Sequence, residues 1–137
     1  MNAEFRVAAP HAQGLSGRAN AQRVCHEYMC TRVKPQRAKV ERFALTHRFD
    51  HIQIEGEHGF GKPDQRAYRH AMQTLGVTAP ETWMIGDNLE WEIEVPQRLG
   101  IYAIWMDAHG EGLPAESTVK PDRIIRSLTE LLPVACR

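Results

Sequence analysis

Lys62 is the first residue whose type and position suggest chemistry. It ends a loop, residues 55–62, that contains three glycines and leads into a helix predicted to begin at Pro63. Unpaired backbone amides at a helix N-terminus favour anions, and the lysine ammonium adds a point charge suited to phosphate. A lone loop lysine is more often simply solvated, so Lys62 by itself leaves both interpretations open.

A second candidate is the acidic segment that follows Met84-Ile85-Gly86. Asp87 comes directly after this apolar strand, and Glu90, Glu92 and Glu94 follow it. These carboxylates repel one another unless they face solvent or share a cation, and magnesium prefers such oxygen ligands. Asp87 alone could equally be a helix N-cap. A lysine at one strand end and acids at the next together favour a phosphoryl group and the metal that neutralises it.

The elements that must position these residues alternate along the chain. Strands are predicted at residues 51–54, 82–85, 101–105 and 123–125, and helices at residues 21–29, 36–45, 63–75, 127–132 and, kinked by Pro96, up to residue 99. Residues 1–21 have no clear period, and no element is predicted there. This alternation predicts an α/β fold, a Rossmann-like parallel sheet flanked by helices. Such sheets bind ligands at the carboxyl ends of their strands, where both candidate loops lie.

Helical periodicity predicts which side chains are buried. In the helix at residues 36–45, Val40, Phe43 and Ala44 share one face. The helix at residues 63–75 should stop at Gly76, and its buried stripe should consist of Ala67, Tyr68, Ala71, Met72 and Leu75. Ser127 and Glu130 fit a capping box for the last helix.

Two of these segments resemble the motifs of a known family. Phe60-Gly61-Lys62-Pro63-Asp64, followed by Ile85-Gly86-Asp87-Asn88-Leu89-Glu90-Trp91-Glu92, resembles the third and fourth motifs of the haloacid dehalogenase-like hydrolases. The flanking residues 36–43, 49–50 and 96–101 are similar to the stretches around those motifs. The resemblance covers residues 33–134. It implies a partial core domain at residues 33–137, preceded by a poorly ordered or aberrant segment at residues 1–32.

The resemblance also implies roles for individual residues in a magnesium-dependent phosphatase. Lys62 would bind the phosphoryl group and balance its charge during catalysis. Asp87 would bind magnesium, and Glu92 would support the metal shell in place of the family's more usual aspartate. The family's second motif supplies a hydroxyl, for which Thr31 is the nearby candidate. The implied substrate is a small phosphate ester.

The main departure from the family concerns its nucleophile. The family opens with a strand that ends in Asp-x-Asp, the first aspartate attacking phosphorus and the second acting as acid and base. This sequence has no aspartate before Asp50. We therefore expect a core that lacks its first strand and its substrate-selecting cap, and a chain that is truncated and inactive alone. If it were active, another residue, such as Asp64 or Asp107, would have to be the nucleophile.

Two alternatives to a phosphatase remnant stay open. One is a non-catalytic module that binds phosphate or magnesium, and the other is a truncated gene product without a function of its own. In each case a missing central strand would leave unpaired edge groups. The sequence therefore predicts self-association through an exposed sheet edge, or poor solubility.

Composition argues against several other classes of function. The 137 residues are 42% hydrophobic and 25% charged, as is usual for one soluble domain, and no apolar run approaches the roughly 20 residues that cross a bilayer. Residues 1–48 contain nine Lys and Arg against three acids, but without interleaved aromatics they do not predict nucleic-acid binding. We expect a cytoplasmic protein with a small phosphorylated substrate and neither nucleic acid nor membrane as a partner.

The remaining reactive or aromatic side chains have simpler interpretations. Cys25, His26 and Cys30 offer three zinc ligands without a fourth nearby, and the chain's three cysteines do not make a disulfide framework. The sequence therefore predicts neither zinc nor disulfides. Trp83, Trp91 and Trp105 are predicted core or rim residues, and His58, His70 and His109 are predicted surface residues.

Overall fold

The structure is a computed structural model that describes residues 3–6, 24–28 and 33–131, the first two ranges as backbone only. Its strands are β1 (Ala3–Arg6), β2 (Val24–Tyr28), β3 (His51–Ile54), β4 (Trp83–Gly86), β5 (Tyr102–Met106) and β6 (Arg123–Ile125). Its α-helices are α1 (Val33–Arg42), α2 (Glu55–His58), α3 (Gln65–Leu75) and α4 (Val95–Arg98). A π-helix, Leu89–Glu94, precedes α4, and short 3-10 turns lie at Leu45–His47, Ala79–Glu81 and Leu128–Leu131.

The strands form two hydrogen-bonded groups of three. One has the order β1-β2-β3 and the other β4-β5-β6. All pairings are parallel except that of β1 with β2. Cα atoms of β1 also come within 8 Å of β4, so the two groups lie side by side. The predicted class, an α/β fold with a parallel sheet flanked by helices, is confirmed.

Helix α3 has the predicted buried stripe and the predicted end. Ala67, Tyr68, Ala71, Met72 and Leu75 are all buried, and they pack with Met84 of β4 and Ile101 before β5. Gly76 ends the helix in a left-handed conformation, with φ of 66°, which glycine adopts without the strain of a Cβ. The helix begins later than predicted, because Asp64 is its N-cap and Pro63 lies before it.

Helix α1 differs from the prediction at both ends. It spans Val33–Arg42 instead of residues 36–45, and Ala44 takes a left-handed φ of 50° beyond its end. Val40 is buried as expected, but Phe43 is 60% exposed and Ala44 is exposed. The prediction that all three share a buried face was wrong, because the helix stops before the last two residues.

The N-terminal predictions need a second correction. Residues 21–29 were predicted to be helical, but Val24–Tyr28 is a strand that pairs with β3. Ala3–Arg6 is also a strand, where no element was predicted. Pairing between distant segments has overridden local preference in both cases. The domain boundary near residue 32 stays a prediction.

The elements after α3 are close to their predicted positions. Strands β4 and β5 each begin and end one residue later than expected, and β6 is found at residues 123–125 as predicted. The helix that contains Pro96 changes from π to α geometry at Val95. Glu130 accepts from the backbone of Ser127, but the following turn is a short 3-10 helix. Across the described ranges, no helix has the length and apolar character needed to cross a membrane.

Candidate functional site

The centre of the candidate site is a buried ion pair between Lys62 and Glu92. Lys62 Nζ lies 3.0 Å from Glu92 Oε1, and the two side chains are 1% and 3% exposed. The predicted loop at residues 55–62 begins with the short helix α2, and the segment between α2 and α3 supplies the lysine. The π-helix after β4 supplies the glutamate. The structure therefore brings together the segments that follow these two strands, at one end of the sheet, as the predicted parallel sheet implied.

The second oxygen of Glu92 binds the backbone of the same turn. Glu92 Oε2 accepts from the amide of Asn88 at 2.7 Å. Asn88 is also the N-cap of the π-helix, since its side chain accepts from the Trp91 amide at 2.9 Å. Asn88, and not Asp87, therefore takes the capping role that was the alternative interpretation of Asp87.

Asp87 lies at the carboxyl end of β4 with an exposed side chain. Its backbone carbonyl accepts from Trp105 Nε1 at 2.9 Å, and its neighbour Asn88 donates to Glu92. Asp87 is thus one residue from the backbone amide that binds Glu92. Its carboxylate can reach a ligand from solvent without breaking the Lys62–Glu92 pair.

Gly86 allows Glu92 to approach the end of β4 closely. A Cβ at Gly86 would lie 2.2 Å from Glu92 Oε2 and 2.3 Å from its carboxyl carbon. Only glycine therefore leaves room for the buried carboxylate, whose position Lys62 and the Asn88 amide fix. Gly86 therefore contributes to the site because it has no side chain.

The donor chemistry fits magnesium held mainly through water and phosphate oxygens. Asp87 offers one exposed carboxylate, and Glu92 still has acceptor sites, because a carboxylate has about four and two are engaged. In the part of the chain that the structure describes, no three His, Cys, Asp or Glu side chains are grouped as a metal cage. Magnesium commonly binds one or two carboxylates together with substrate phosphates, and so needs no such cage.

The other glutamates of the segment are not part of this pair. Glu90 is exposed, and Glu94 forms an ion pair with Arg98 on the helix surface. The expected crowding of carboxylates is thus relieved in two ways, by solvent and by cationic partners.

The two aspartates considered as replacement nucleophiles have structural partners. Asp64 caps α3 and forms an ion pair with Arg66, and the Arg66 side chain lowers the pKa of the carboxyl. Asp107 accepts from the amides of Glu111 and Gly112, and these bonds, that to Gly112 foremost, lower its pKa. Both carboxylates stabilise turns.

Three histidines, one each from β3, α2 and α3, lie close to one another. The rings of His58 and His70 are 4.5 Å apart between centroids, and those of His51 and His70 are 5.9 Å apart. His70 Nδ1 lies 2.8 Å from Oε1 of the buried Gln53. His58 and His70, which were predicted to be surface residues, are only half-buried but pack against each other, and His109 is exposed as expected.

Several residues considered in the sequence lie beyond the described side chains. Thr31 and Cys30 fall outside the described residues, and Cys25 and His26 belong to a strand described as backbone only. The tryptophans are as predicted, with Trp105 buried and Trp83 and Trp91 half-buried.

Three participants were missed in the sequence. Asn88 could have been recognised as an N-cap three residues before Trp91. Trp105 donates to the Asp87 carbonyl and Tyr68 donates to the Trp91 carbonyl, and both contacts are tertiary ones that no local pattern reveals.

Known proteins resemble this chain over most of its length. The model of the haloacid dehalogenase-like hydrolases matches residues 10–100. The phosphoserine phosphatase of Thermus thermophilus is 36% identical over 70% of this chain, and the rat N-acylneuraminate-9-phosphatase is 34% identical over 70%. The chain covers 38% and 39% of these two proteins, so it spans less than half of their length.

A solved structure gives the same result for the fold. The structure of the HAD-hydrolase YfnB from Bacillus subtilis, bound to magnesium, superposes with a TM-score of 0.63 at 26% identity. The superposition covers 72% of this chain and 42% of YfnB. With the family model matched over more than half of its residues, this chain belongs to the haloacid dehalogenase-like hydrolase family.

Proposed function

We propose that this chain carries the phosphate- and magnesium-binding part of a phosphatase that acts on a small phosphate ester, and that it does not turn over substrate alone. Lys62 would bind the phosphoryl group, Asp87 would ligate magnesium, and Glu92 would accept from metal-bound water. The observation that carries the proposal is the buried Lys62–Glu92 ion pair. Glu92 lies in the same turn as Asp87, whose side chain is exposed at the end of β4.

Burial of the pair is what favours a functional role over a purely structural one. Removing two charges from water is costly, and a hydrophobic pair of similar volume often stabilises a fold as well or better. An ammonium that is held at a fixed point in a low-dielectric site interacts more strongly with a phosphoryl group than a solvated one does. Glu92 holds Lys62 at such a point.

Magnesium would supply neutralisation of the phosphoryl charge when bound. Asp87 and Glu92 carry the two negative charges next to it, and Lys62 keeps the local charge from becoming strongly negative. The magnesium bound in the YfnB structure supports this assignment. The two phosphatases that match the chain support a small phosphate ester as the substrate class.

The proposed absence of turnover rests on the residues present before β3. No aspartate precedes Asp50, and β1, which lies beside β4, has the sequence Ala3-Glu4-Phe5-Arg6. Asp64 and Asp107 have the structural partners described above. Without a nucleophile, bound phosphate ester can be attacked only by unassisted water. The site would then bind and orient without forming a covalent intermediate.

Hydrolysis of a generic aryl phosphate tests the proposed lack of turnover. Initial rates should be measured against protein concentration for the wild-type chain and for Asp87→Asn, with and without magnesium, after contaminating phosphatases have been removed. We expect no difference between the two proteins. A magnesium-dependent rate that is proportional to wild-type protein and disappears in Asp87→Asn would show that the chain is an active enzyme.

Two further observations separate the remaining alternatives. Translation of the upstream DNA in all frames distinguishes a truncated or misread gene product from a phosphatase remnant and from a binding module. An Asp-x-Asp segment just upstream or in another frame would mark residues 1–32 as aberrant. A folded chain that binds neither ligand would be a product without this function.

A further inference from the structure

Two aromatic donors hold the backbone of the acidic turn, residues 87–92, near its two ends. Trp105 Nε1 donates to the Asp87 carbonyl at 2.9 Å, and the Tyr68 hydroxyl donates to the Trp91 carbonyl. One carbonyl belongs to Asp87 itself, and the other belongs to the residue before Glu92. Each donor therefore binds a backbone carbonyl of, or directly before, a residue whose carboxylate the proposed function uses.

Both donors come from rigid surroundings. Trp105 is 8% exposed, packs with Ile93 and pairs in register with Gly86 on the neighbouring strand. Tyr68 is fully buried in the face of α3 that packs against β4. The two rings have little freedom to move, so the carbonyls they hold are fixed to the sheet and to α3.

The Tyr68 contact fills a gap that Pro96 creates. A π-helix pairs an amide with the carbonyl five positions earlier, as Val95 does with Glu90 here. The Trp91 carbonyl would take the amide of residue 96 in this pattern, but proline has no N–H. The Tyr68 hydroxyl supplies a donor to that carbonyl. The wide π turn next to Glu92 thus depends on a side chain from another element.

We propose that Trp105 and Tyr68 are positioning residues, which aim the Asp87 and Glu92 carboxylates at a common phosphate and metal. The choice of phosphate and metal as ligands rests on the proposed function, whereas the two hydrogen bonds to the turn are independent of it. At Tyr68, phenylalanine would keep the ring and lose only the hydroxyl. At Trp105 it would lose the donor and part of the indole ring, a loss of volume that the Trp83→Phe control reproduces away from the site. Core packing needs no polar group at either position, so it does not explain why both rings carry donors aimed at the turn.

The test uses Trp105→Phe and Tyr68→Phe, with Trp83→Phe and Tyr102→Phe as matched controls. Trp83 and Tyr102 pair with each other at the opposite end of β4 and β5, and the Tyr102 hydroxyl also donates to a backbone carbonyl, that of Asp122. The controls therefore remove the same atoms away from the site. If Tyr68→Phe does not fold, Trp105→Phe decides the question.

Two measurements are compared among the proteins, each made at the same interval below the Tm of the protein concerned. The first is amide hydrogen exchange across residues 87–92 without ligand, and the second is Mn²⁺ affinity in the presence of inorganic phosphate. We expect faster exchange in the two site variants, and Mn²⁺ binding weakened by about 10-fold, as for partners that orient metal ligands. The controls should match wild type in both.

The outcomes separate this inference from the proposed function. If wild type binds no Mn²⁺, the proposed function fails, and the exchange data alone decide the positioning role. If wild type binds Mn²⁺ and both site variants bind it equally well, the positioning role is overturned while the proposed function stands. Unchanged exchange in Trp105→Phe also overturns it.

Discussion

Lys62 and Glu92 form a buried ion pair across 30 positions of sequence, with Nζ and Oε1 3.0 Å apart. Breaking such a pair leaves one charge buried without its partner, which typically costs about 3–5 kcal/mol. We therefore expect Glu92→Gln to lower the free energy of unfolding by about this amount, as measured by urea denaturation.

Glu94→Gln is the matched control for that change. It breaks the ion pair of Glu94 with Arg98 in the same segment, but both side chains there are more than one third exposed. Exposed pairs contribute about 0–1 kcal/mol, so the urea midpoint should barely move. Equal losses in the two variants would contradict a special role for the buried pair.

Gly86→Ala should disturb Glu92 through steric conflict alone. The new methyl group would overlap the carboxylate that Lys62 and the Asn88 amide hold, so either the strand or the ion pair must move. We expect a loss of about 1–3 kcal/mol in unfolding free energy, as for overpacked cores.

Gly56→Ala tests whether the effect at Gly86 is local. Gly56 is exposed in helix α2, where alanine fits the backbone and should leave stability unchanged or raise it by about 0.4–1 kcal/mol. A Gly86→Ala protein as stable as wild type would mean that Glu92 can leave its place at little cost.

The histidine group predicts a loss of stability in mild acid. Burial chiefly lowers the pKa of His51, as does the charge of nearby His70, His58 and Arg37, although a hydrogen bond with Gln53 opposes this. Burial and His58 also lower the pKa of His70. The unfolded chain then binds more protons than the folded one. The contribution of these histidines to the free energy of unfolding is therefore fully present above pH of about 6.5, and it is lost as the pH drops toward their lowered pKa values.

Urea midpoints between pH 7.5 and pH 5 measure this slope. His70→Gln should flatten it, and His109→Gln, at an exposed site, should not. The lowered pKa of Asp107, caused by its amide partners, acts in a separate and more acidic window, since its contribution is lost only as the carboxyl protonates below its usual 3.8. A urea midpoint that stays constant between pH 7.5 and pH 5 would contradict the lowered pKa values of His51 and His70.

Self-association through a sheet edge stays a prediction that light scattering can test. Strand β6 is at one end of its hydrogen-bonded group, and Ile124 on it is 44% exposed. We expect the average molar mass in solution to rise with protein concentration. Ile124→Lys should reduce that rise, because lysines on an edge strand oppose strand pairing. A sharp monomer at high concentration in the wild-type chain would count against it.

Local patterns in the sequence predicted the parts of the fold that depend on local chemistry. The stripe of α3 and its end at Gly76 follow from periodicity and glycine geometry. Lys62 and Asp87 were predicted to lie near each other because parallel strands bring their carboxyl ends together, and their roles stay a prediction. Phe43 was misplaced because a helix end shifted by three residues. The strand at residues 24–28, and the Trp105 and Tyr68 donors, depend on long-range contacts that sequence spacing does not encode.

Magnesium binding at Asp87 in the presence of phosphate is the most direct consequence of the proposed site. Calorimetric titration of Mg²⁺ with inorganic phosphate should be compared among wild type, Asp87→Asn and Glu90→Gln, which removes an equal charge from an exposed neighbour in the same segment. We predict saturable, phosphate-dependent binding to wild type and to Glu90→Gln, and binding weakened more than about 10-fold in Asp87→Asn. Equal affinity in wild type and Asp87→Asn, or weakening of the same size in Glu90→Gln, would contradict the site.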